Sequence, residues 1–241
     1  MQVAVLGAHG RMGSAACSAI ESDADLVLGP RIGRGDPLEL AGSDVALELS
    51  TPSSVKANTL GAIEQGLHVV VGATGLLGAD LEEIEQAATG RSVGVLVAPN
   101  FALGAVLMMQ FARQAARFFD TAEIIERHHE KKLDAPSGTA ARTAALMNEA
   151  HPGPWASGPD GAHPTAPGAR GADVDGIHIH SLRLPGSVAH QEVLFGAPGE
   201  VLTIKHDSLD RSSFMPGILL AVKAVPEMSG LTVGLEHLLD L

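Results

Sequence analysis

The sequence predicts a two-domain α/β protein. Over about the first hundred residues, short apolar runs alternate with helix-compatible stretches, which is typical of βαβ units and a parallel sheet with helices on both faces. Beyond residue 100 the pattern changes to long helices and alternating strands, which indicate an α+β domain with an open, mixed and largely antiparallel sheet. The 241 residues, of which 45% are hydrophobic, are enough to bury two cores.

The first half contains five short apolar runs that predict strands, and the first of them fits a strand buried on both faces. They are Val3–Leu6, Leu26–Leu28, Val45–Leu49, Val69–Val71 and Val93–Val97. Helices are expected over residues 12–21, Ser53–Glu64 and Ala79–Ala88. This half, residues 1–101, forms the first predicted domain, and residues 212–241 complete it.

The second predicted domain covers residues 102–211. Its predicted helices are 104–118 and Ser137–Ala150, and its predicted strands are Ala122–Arg127, Ile177–Arg183, Ala189–Phe195 and Glu200–His206. Residues 151–176 hold five prolines and six glycines, which predicts a long irregular loop. An apolar helix over 213–225 is expected to return to the first domain.

Composition excludes several classes of protein. Sixteen Lys and Arg against 28 Asp and Glu give a net charge of −12, which argues against nucleic-acid binding but permits an anionic substrate in a local basic pocket. The single Cys17 excludes an intramolecular disulfide and a cysteine-clustered metal site. Because there is no signal-peptide pattern and no apolar run of about 18 residues, we expect a soluble, cytoplasmic protein that does not bind membranes.

A glycine loop joins the first predicted strand to the first predicted helix. It reads Gly-x-x-Gly-x-x-Gly over residues 7–13, where glycines permit a tight turn and close approach of the backbone to a pyrophosphate. The position of the loop, more than its spacing, favours a Rossmann-like dinucleotide-binding domain over a purely structural turn.

The segment after the second strand lacks the Asp or Glu that commonly holds the adenosine ribose. It reads Gly-Pro-Arg-Ile-Gly-Arg over residues 29–34, and the next carboxylate is Asp36. Arg31 and Arg34 suit a 2′-phosphate, so we expect NADPH to be accepted at least as well as NADH. The alternative is that both arginines are solvated loop residues.

The densest group of chemically active side chains lies between residues 126 and 139. His128 and His129 precede two lysines, and together they could supply a general acid near neutral pH and a site for carboxylates. Ser137-Gly138-Thr139 opens a predicted helix and offers amides and a hydroxyl to an anion. No metal is expected, because adjacent histidines point apart and no carboxylate is spaced to complete a site.

These motifs give the chain a resemblance to the dihydrodipicolinate (4-hydroxy-tetrahydrodipicolinate) reductases of lysine and diaminopimelate biosynthesis, over essentially its whole length. The most specific is Glu-x-His-His-x-x-Lys-x-Asp-Ala-Pro-Ser-Gly-Thr-Ala at 126–140. Further matching motifs are the loop at 7–13, Val-Gly-Ala-Thr-Gly at 71–75, Ala-Pro-Asn-Phe at 98–101, Gly-Ala-Arg-Gly at 168–171 and His-x-x-x-x-Arg-x-x-Phe at 206–214.

The resemblance implies an enzyme that transfers hydride from NADH or NADPH to the dehydrated imine of 4-hydroxy-tetrahydrodipicolinate. His128 would be the general acid, Lys132 a proton donor and substrate ligand, and His129, Gly138 and Thr139 the carboxylate ligands. The implied cofactor contacts are Gly7, Ala8, His9, Gly10, Arg11, Met12, Gly72, Ala73, Thr74, Ala98, Pro99, Asn100 and Phe101. The family also implies a homotetramer built through the sheet of the second domain.

The chain departs from the family pattern near the cofactor. Glu48-Leu49-Ser50-Thr51 stands where Asp-Phe-Thr is common, and Ala73 replaces a threonine. These changes leave two alternatives open: a reductase of the same fold acting on another cyclic imine, and a non-catalytic NADPH-binding regulator. The intact His128, His129 and Lys132 argue against the regulator.

Overall fold

The computed structural model describes residues 1–156 and 164–239. They divide into two compact units, unit 1 (Met1–Leu103 and Arg211–Leu241) and unit 2 (Gly104–Asp210). The strands are β1 Gln2–Leu6, β2 Val27–Ile32, β3 Val45–Glu48, β4 His68–Val71, β5 Gly94–Val97, β6 Thr121–His128, β7 Ala172–Val174, β8 Ile177–Arg183, β9 Ala189–Ala197, β10 Glu200–Ser208 and β11 Gly230–Val233. The α-helices are α1 Arg11–Ser22, α2 Val55–Glu64, α3 Gly78–Arg91, α4 Leu103–Ala115, α5 Gly138–Ala150 and α6 Met215–Ala224.

Unit 1 is built on a parallel sheet with the strand order β11-β5-β4-β3-β1-β2. After β1 the chain forms β2 at the edge and then returns to form β3 on the other side of β1. The direction of winding therefore reverses at β1, and ligands of such sheets bind at the carboxyl ends of the strands beside this point. The predicted fold of this half is confirmed.

The core of unit 1 explains why its strands are continuous apolar runs. Every residue of Val3–Leu6 and of Val45–Glu48 is buried, and so are Val69–Val71. Side chains of α2 and α3, including Ile63 and Ile84, pack on this sheet. Burial of both faces of these central strands stabilises the sheet and leaves its chemistry to the loops at the strand ends.

Unit 2 contains a five-stranded mixed sheet with the order β10-β9-β6-β8-β7. All neighbouring strands are antiparallel except β6 and β8, which are parallel. One face of the sheet packs on α5 through a core that includes Ile124, Met147, Ile179 and Phe195. The predicted open, mixed sheet is confirmed.

Several predicted elements differ from the structure. Strand β11 was not predicted, since its short sequence Gly-Leu-Thr-Val has little pattern and its backbone is held by pairing with β5. Strand β7 lies inside the predicted loop 151–176, of which residues 157–163 lie outside the described residues. Strand β2 continues to Ile32 because it pairs with β1 as far as Leu6. No helix in the described part of the chain is long and apolar enough to cross a membrane.

Candidate active site

The glycine loop of unit 1 leaves no room for a side chain at Gly7 or Gly13. Gly7 has φ +79°, and a Cβ there would lie 2.6 Å from the carbonyl oxygen of Leu49. A Cβ on Gly13 would lie 2.2 Å from the carbonyl oxygen of Gly7, so helix α1 contacts the loop backbone directly. The loop thus brings the N-terminus of α1 close to the end of β1, as a bound pyrophosphate requires.

Three further loops meet at the same edge of the sheet. A Cβ on Gly72, after β4, would lie 2.4 Å from the ring of Phe101, after β5, and 2.8 Å from Cδ2 of Leu49, after β3. The Gly72 and Ala73 amides donate to the carbonyl oxygen of Glu48 at 2.9 and 3.2 Å. Residues 72–74 and 98–101, which the resemblance assigns to cofactor binding, therefore contact each other at this edge of the sheet.

A cavity of about 380 Å³ opens beside the glycine loop. Gly7, His9 and Gly10 line it, together with residues that follow β2 and β3 and the first part of α2. Arg34 and Asp36 belong to the lining, and the Asp36 carboxylate accepts a hydrogen bond from the Gly33 amide at 2.7 Å.

Arg31 does not line this cavity. It lies in β2, half-exposed, and forms an ion pair with Glu21 of α1. Residues 29–34 contain no acid, but the structure places a carboxylate near each arginine. Glu21 pairs with Arg31, and Asp36 lines the same cavity as Arg34. Glu21 is ten residues away in sequence, so only helix packing brings it close.

A fully buried carboxylate, Glu48, ends strand β3 beside the cavity. Burial raises its pKa, against hydrogen bonds from the Ser50 amide and hydroxyl and from the Asn58 side chain, which lower it. Because Ser50 and Asn58 also line the cavity, the carboxylate holds part of its wall in place.

In unit 2, His128 is the last residue of strand β6, and its side chain is only 14% exposed. Its Nδ1 lies 2.6 Å from Oε2 of Glu126, two residues earlier on the same face of the strand. Arg183, its register partner on β8, donates to both oxygens of Glu126 at 2.8 and 2.9 Å.

Glu126 is fully buried within this group. Burial alone would raise its pKa, but hydrogen bonds from His128, Arg183 and Ser181 hold the pKa at about 2. A carboxylate that accepts several hydrogen bonds and faces the Arg183 guanidinium favours its charged form. The pair of β6 and β8 therefore presents a histidine whose ring is fixed by a buried anion.

The loop after β6 contains the predicted substrate lysine. Nζ of Lys132 lies 2.9 Å from Oδ1 of Asp134, and this bond holds the pKa of Asp134 below its usual range. The Lys132 side chain is 23% exposed, so it stays accessible to a competing carboxylate. His129 is partly buried at the start of the same loop, and its carbonyl accepts from the Lys132 amide.

The loop ends at the N-terminus of α5. Ser137 caps the helix by accepting from the Ala140 amide at 3.2 Å, and its own amide donates to Glu126 Oε1 at 3.1 Å. Gly138 is exposed, and a Cβ there would meet nothing within 4 Å. The open first turn, with Thr139 next in sequence, is a suitable place for a carboxylate.

Unit 2 therefore brings together the predicted residues His128, Lys132, Gly138 and Thr139 on one strand end, one loop and one helix start. Sequence reasoning gave no role to Glu126 or Arg183. Alternation along β6 could have indicated Glu126, whereas Arg183 lies 55 residues from His128 and only the β6–β8 pairing brings it near. Across residues 1–156 and 164–239, no group of three or more His, Cys, Asp or Glu side chains could hold a metal ion.

A Rossmann-like unit with a glycine loop, joined in one chain to a unit in which a buried carboxylate contacts a histidine, is typical of a nicotinamide-dependent oxidoreductase. Two family models match, "Dihydrodipicolinate reductase, N-terminus" over residues 1–101 and "Dihydrodipicolinate reductase, C-terminus" over residues 104–239. The chain belongs to the dihydrodipicolinate reductase family, and the expected family and enzymatic nature are confirmed.

Full-length relatives carry the same assignment. The 4-hydroxy-tetrahydrodipicolinate reductase of Mycobacterium marinum is 54% identical over 245 residues, covering 100% of both chains. That of Nocardia farcinica is 51% identical and covers 100% of this chain and 99% of its own. A dipicolinate-bound dihydrodipicolinate reductase from Paenisporosarcina sp. TG-14 superposes with a TM-score of 0.86 at 38% identity, covering 98% of each chain. A probable dehydrogenase from Thermotoga maritima shares the fold alone, with a TM-score of 0.65, 12% identity and coverage of 99% and 92%.

Proposed function

We propose that this chain reduces the dehydrated imine of 4-hydroxy-tetrahydrodipicolinate to tetrahydrodipicolinate, with hydride from NADH or NADPH. The observation that carries the assignment of roles is the His128–Glu126 contact of 2.6 Å next to the open first turn of α5. This contact supports the proposal of a proton donor next to a carboxylate-binding site, which a dicarboxylate that accepts hydride and then a proton needs.

The reaction divides between the residues as follows. A bound NADH or NADPH would supply a hydride to the conjugated imine, and the electron pair displaced from the double bond would leave a carbanion-like enamine on the substrate. His128 donates its proton to the neighbouring carbon as that charge develops. The substrate thus gains one hydride from the cofactor and one proton from His128, which becomes neutral.

The substrate carboxylates are assigned to the loop and helix start. Lys132 exchanges its Asp134 partner for one carboxylate, while His129, Gly138 and Thr139 bind the other through side-chain and backbone donors. The dipicolinate bound to the Paenisporosarcina relative supports a planar dicarboxylate as the ligand class. Dipicolinate should therefore compete with substrate, and Lys132→Ala should weaken that competition as well as lower kcat.

The cofactor site is assigned to the glycine loop and the cavity beside it. The cofactor contacts proposed there are Gly7, Ala8, His9, Gly10, Arg11 and Met12, with Gly72, Ala73, Thr74 and Ala98–Phe101 on the neighbouring loops. Arg34 is the better placed of the two arginines for a 2′-phosphate, because it lines the cavity whereas Arg31 is paired with Glu21. Asp36 in the same lining offers acceptors to a free ribose hydroxyl, so both cofactors should be used.

Arg34→Ala and Arg31→Ala test this assignment as a matched pair. Arg34→Ala should raise KM for NADPH about tenfold and leave KM for NADH nearly unchanged, since one charge-assisted phosphate contact is lost. Arg31→Ala should change the ratio of the two kcat/KM values by less than twofold. Equal increases in KM for NADPH and NADH in Arg34→Ala would show that Arg34 does not bind the 2′-phosphate.

We also propose a homotetramer assembled through the sheet of unit 2. The face of that sheet turned away from Ile124 and Phe195 carries the exposed apolar side chains Leu182 and Val201. Light scattering should give four times the chain mass, and Val201→Glu should lower that mass. The cytoplasmic location expected from the sequence stays a prediction.

The decisive assay supplies substrate in place from pyruvate and aspartate semialdehyde through a synthase, and follows NADH and NADPH oxidation in parallel. Turnover that is lost in His128→Ala, with cofactor binding intact, supports the proposed reaction. Cofactor binding without turnover in the wild type would favour the regulator, and turnover restricted to another cyclic imine would favour a reductase of different specificity.

A further inference from the structure

The carboxylate of Glu126 is shared between the proposed acid and the proposed carboxylate site. Oε2 contacts His128 Nδ1 at 2.6 Å, while Oε1 accepts from the Ser137 amide at 3.1 Å. Because Ser137 is the N-cap of α5, one side chain connects the end of β6 to the first turn of the helix.

Arg183 completes this group. Its two Nη atoms donate to the two oxygens of Glu126, and Nη2 also donates to the carbonyl of Asp134 in the loop that carries Lys132. A bidentate arginine restrains a carboxylate in position and orientation, and a buried carboxylate needs such a partner to stay ionised.

We infer that Glu126, held by Arg183, is a positioning residue that fixes the Nδ1–H tautomer of His128 and aligns the ring with the carboxylate-binding turn of α5. The inference rests on the proposed role of His128 as the acid. With Nδ1 engaged by Glu126, Nε2 is the nitrogen that carries the transferable proton, and after transfer the neutral ring keeps its proton on Nδ1.

Glu126→Gln changes the hydrogen-bonding pattern with little change of shape. The Ser137 amide and Arg183 Nη2 both donate at the Oε1 position, so the amide oxygen takes that position and the amide nitrogen turns toward His128. Arg183 Nη1, which donates to Oε2 in the wild type, then loses its acceptor. His128 must then accept at Nδ1 and carry its proton on Nε2. An amide also cannot offset the charge of a protonated histidine beside Arg183.

The first test is kinetic. Glu126→Gln should lower kcat about 10²-fold, within the usual contribution of a general acid, and change KM for NADH by less than twofold. In the background of His128→Ala it should lower kcat no further, because it acts through that ring. A loss that multiplies with that of His128→Ala, or wild-type kcat, would overturn the inference.

Glu123→Gln is the matched control. Glu123 lies on the same strand and also pairs with a histidine and an arginine, His180 and Arg170. The Glu123→Gln variant should keep kcat within twofold of the wild-type value. If Glu126→Gln does not fold, Arg183→Lys keeps the charge but loses the bidentate contact, and should lower kcat about tenfold with an unchanged KM for NADH.

The second test does not depend on activity. In protein with ¹⁵N-labelled histidine at about pH 9, where imidazole is neutral, the resonance that His128→Ala removes should report the Nδ1–H tautomer. It should change to Nε2–H in Glu126→Gln. An Nε2–H signal in the wild type refutes the inference. Failure of the wild type to reduce the imine would refute the proposed function and leave this result standing.

Discussion

Glu126 makes the stability of unit 2 depend on pH in a specific range. Its pKa is about 2 in the folded protein, against 4.5 as the ordinary value. A lowered carboxyl pKa contributes stability above the unfolded value and loses it as the pH falls through the folded one. The contribution is therefore complete above about pH 5 and is lost between that pH and about 2.

The size of the effect follows from the two pKa values. Lowering the pKa from 4.5 to about 2 corresponds to roughly 3 kcal/mol of unfolding free energy at neutral pH. Glu126→Gln cannot ionise, so it should be less stable than the wild type by about that amount at pH 7. The difference between the two proteins should shrink steeply as the pH falls to about 2, where half of the folded wild-type carboxyl is protonated.

Trp155 provides the assay. It is the single tryptophan, is 8% exposed, and packs in the core of unit 2, so its fluorescence reports unfolding of that unit. Urea unfolding of both proteins at several pH values between 7 and 2 gives the difference in unfolding free energy directly. The contributions of the other carboxylates are the same in both proteins and cancel. A difference that is constant across this range would refute the account of Glu126.

Two further predictions concern packing. Gly13→Ala should weaken NADH binding at least tenfold in a fluorescence titration, because its Cβ would lie 2.2 Å from the Gly7 carbonyl oxygen. Gly90→Ala is the control, since its Cβ would meet nothing within 4 Å, and it should leave the Kd for NADH unchanged. Unaltered NADH binding in Gly13→Ala would contradict the argument from close packing of the loop. Phe195→Ala removes a fully buried ring that contacts Phe119. It should lower the free energy of unfolding by about 3–5 kcal/mol, measured by urea unfolding with Trp155 fluorescence. A loss below about 1 kcal/mol would show that the core relaxes around the cavity.

The sequence by itself determined the fold class and the segments that carry the chemistry. Continuous apolar runs predict strands buried on both faces, and the loop at 7–13 follows the first strand directly. His128, Lys132 and Thr139 lie within twelve residues of each other, so their proximity needs little tertiary information. Local sequence suffices wherever the interacting groups are neighbours in the chain or share the period of one element.

Only the tertiary structure decided which distant side chains hold those groups. Arg183 reaches Glu126 because β6 and β8 are parallel and in register, and Glu21 neutralises Arg31 because α1 packs beside β2. Strand β11, with almost no pattern of its own, is fixed by pairing with β5. Such contacts depend on strand register and on the packing of whole elements. The free energy that fixes them is summed over many residues, so no short segment of the sequence predicts them.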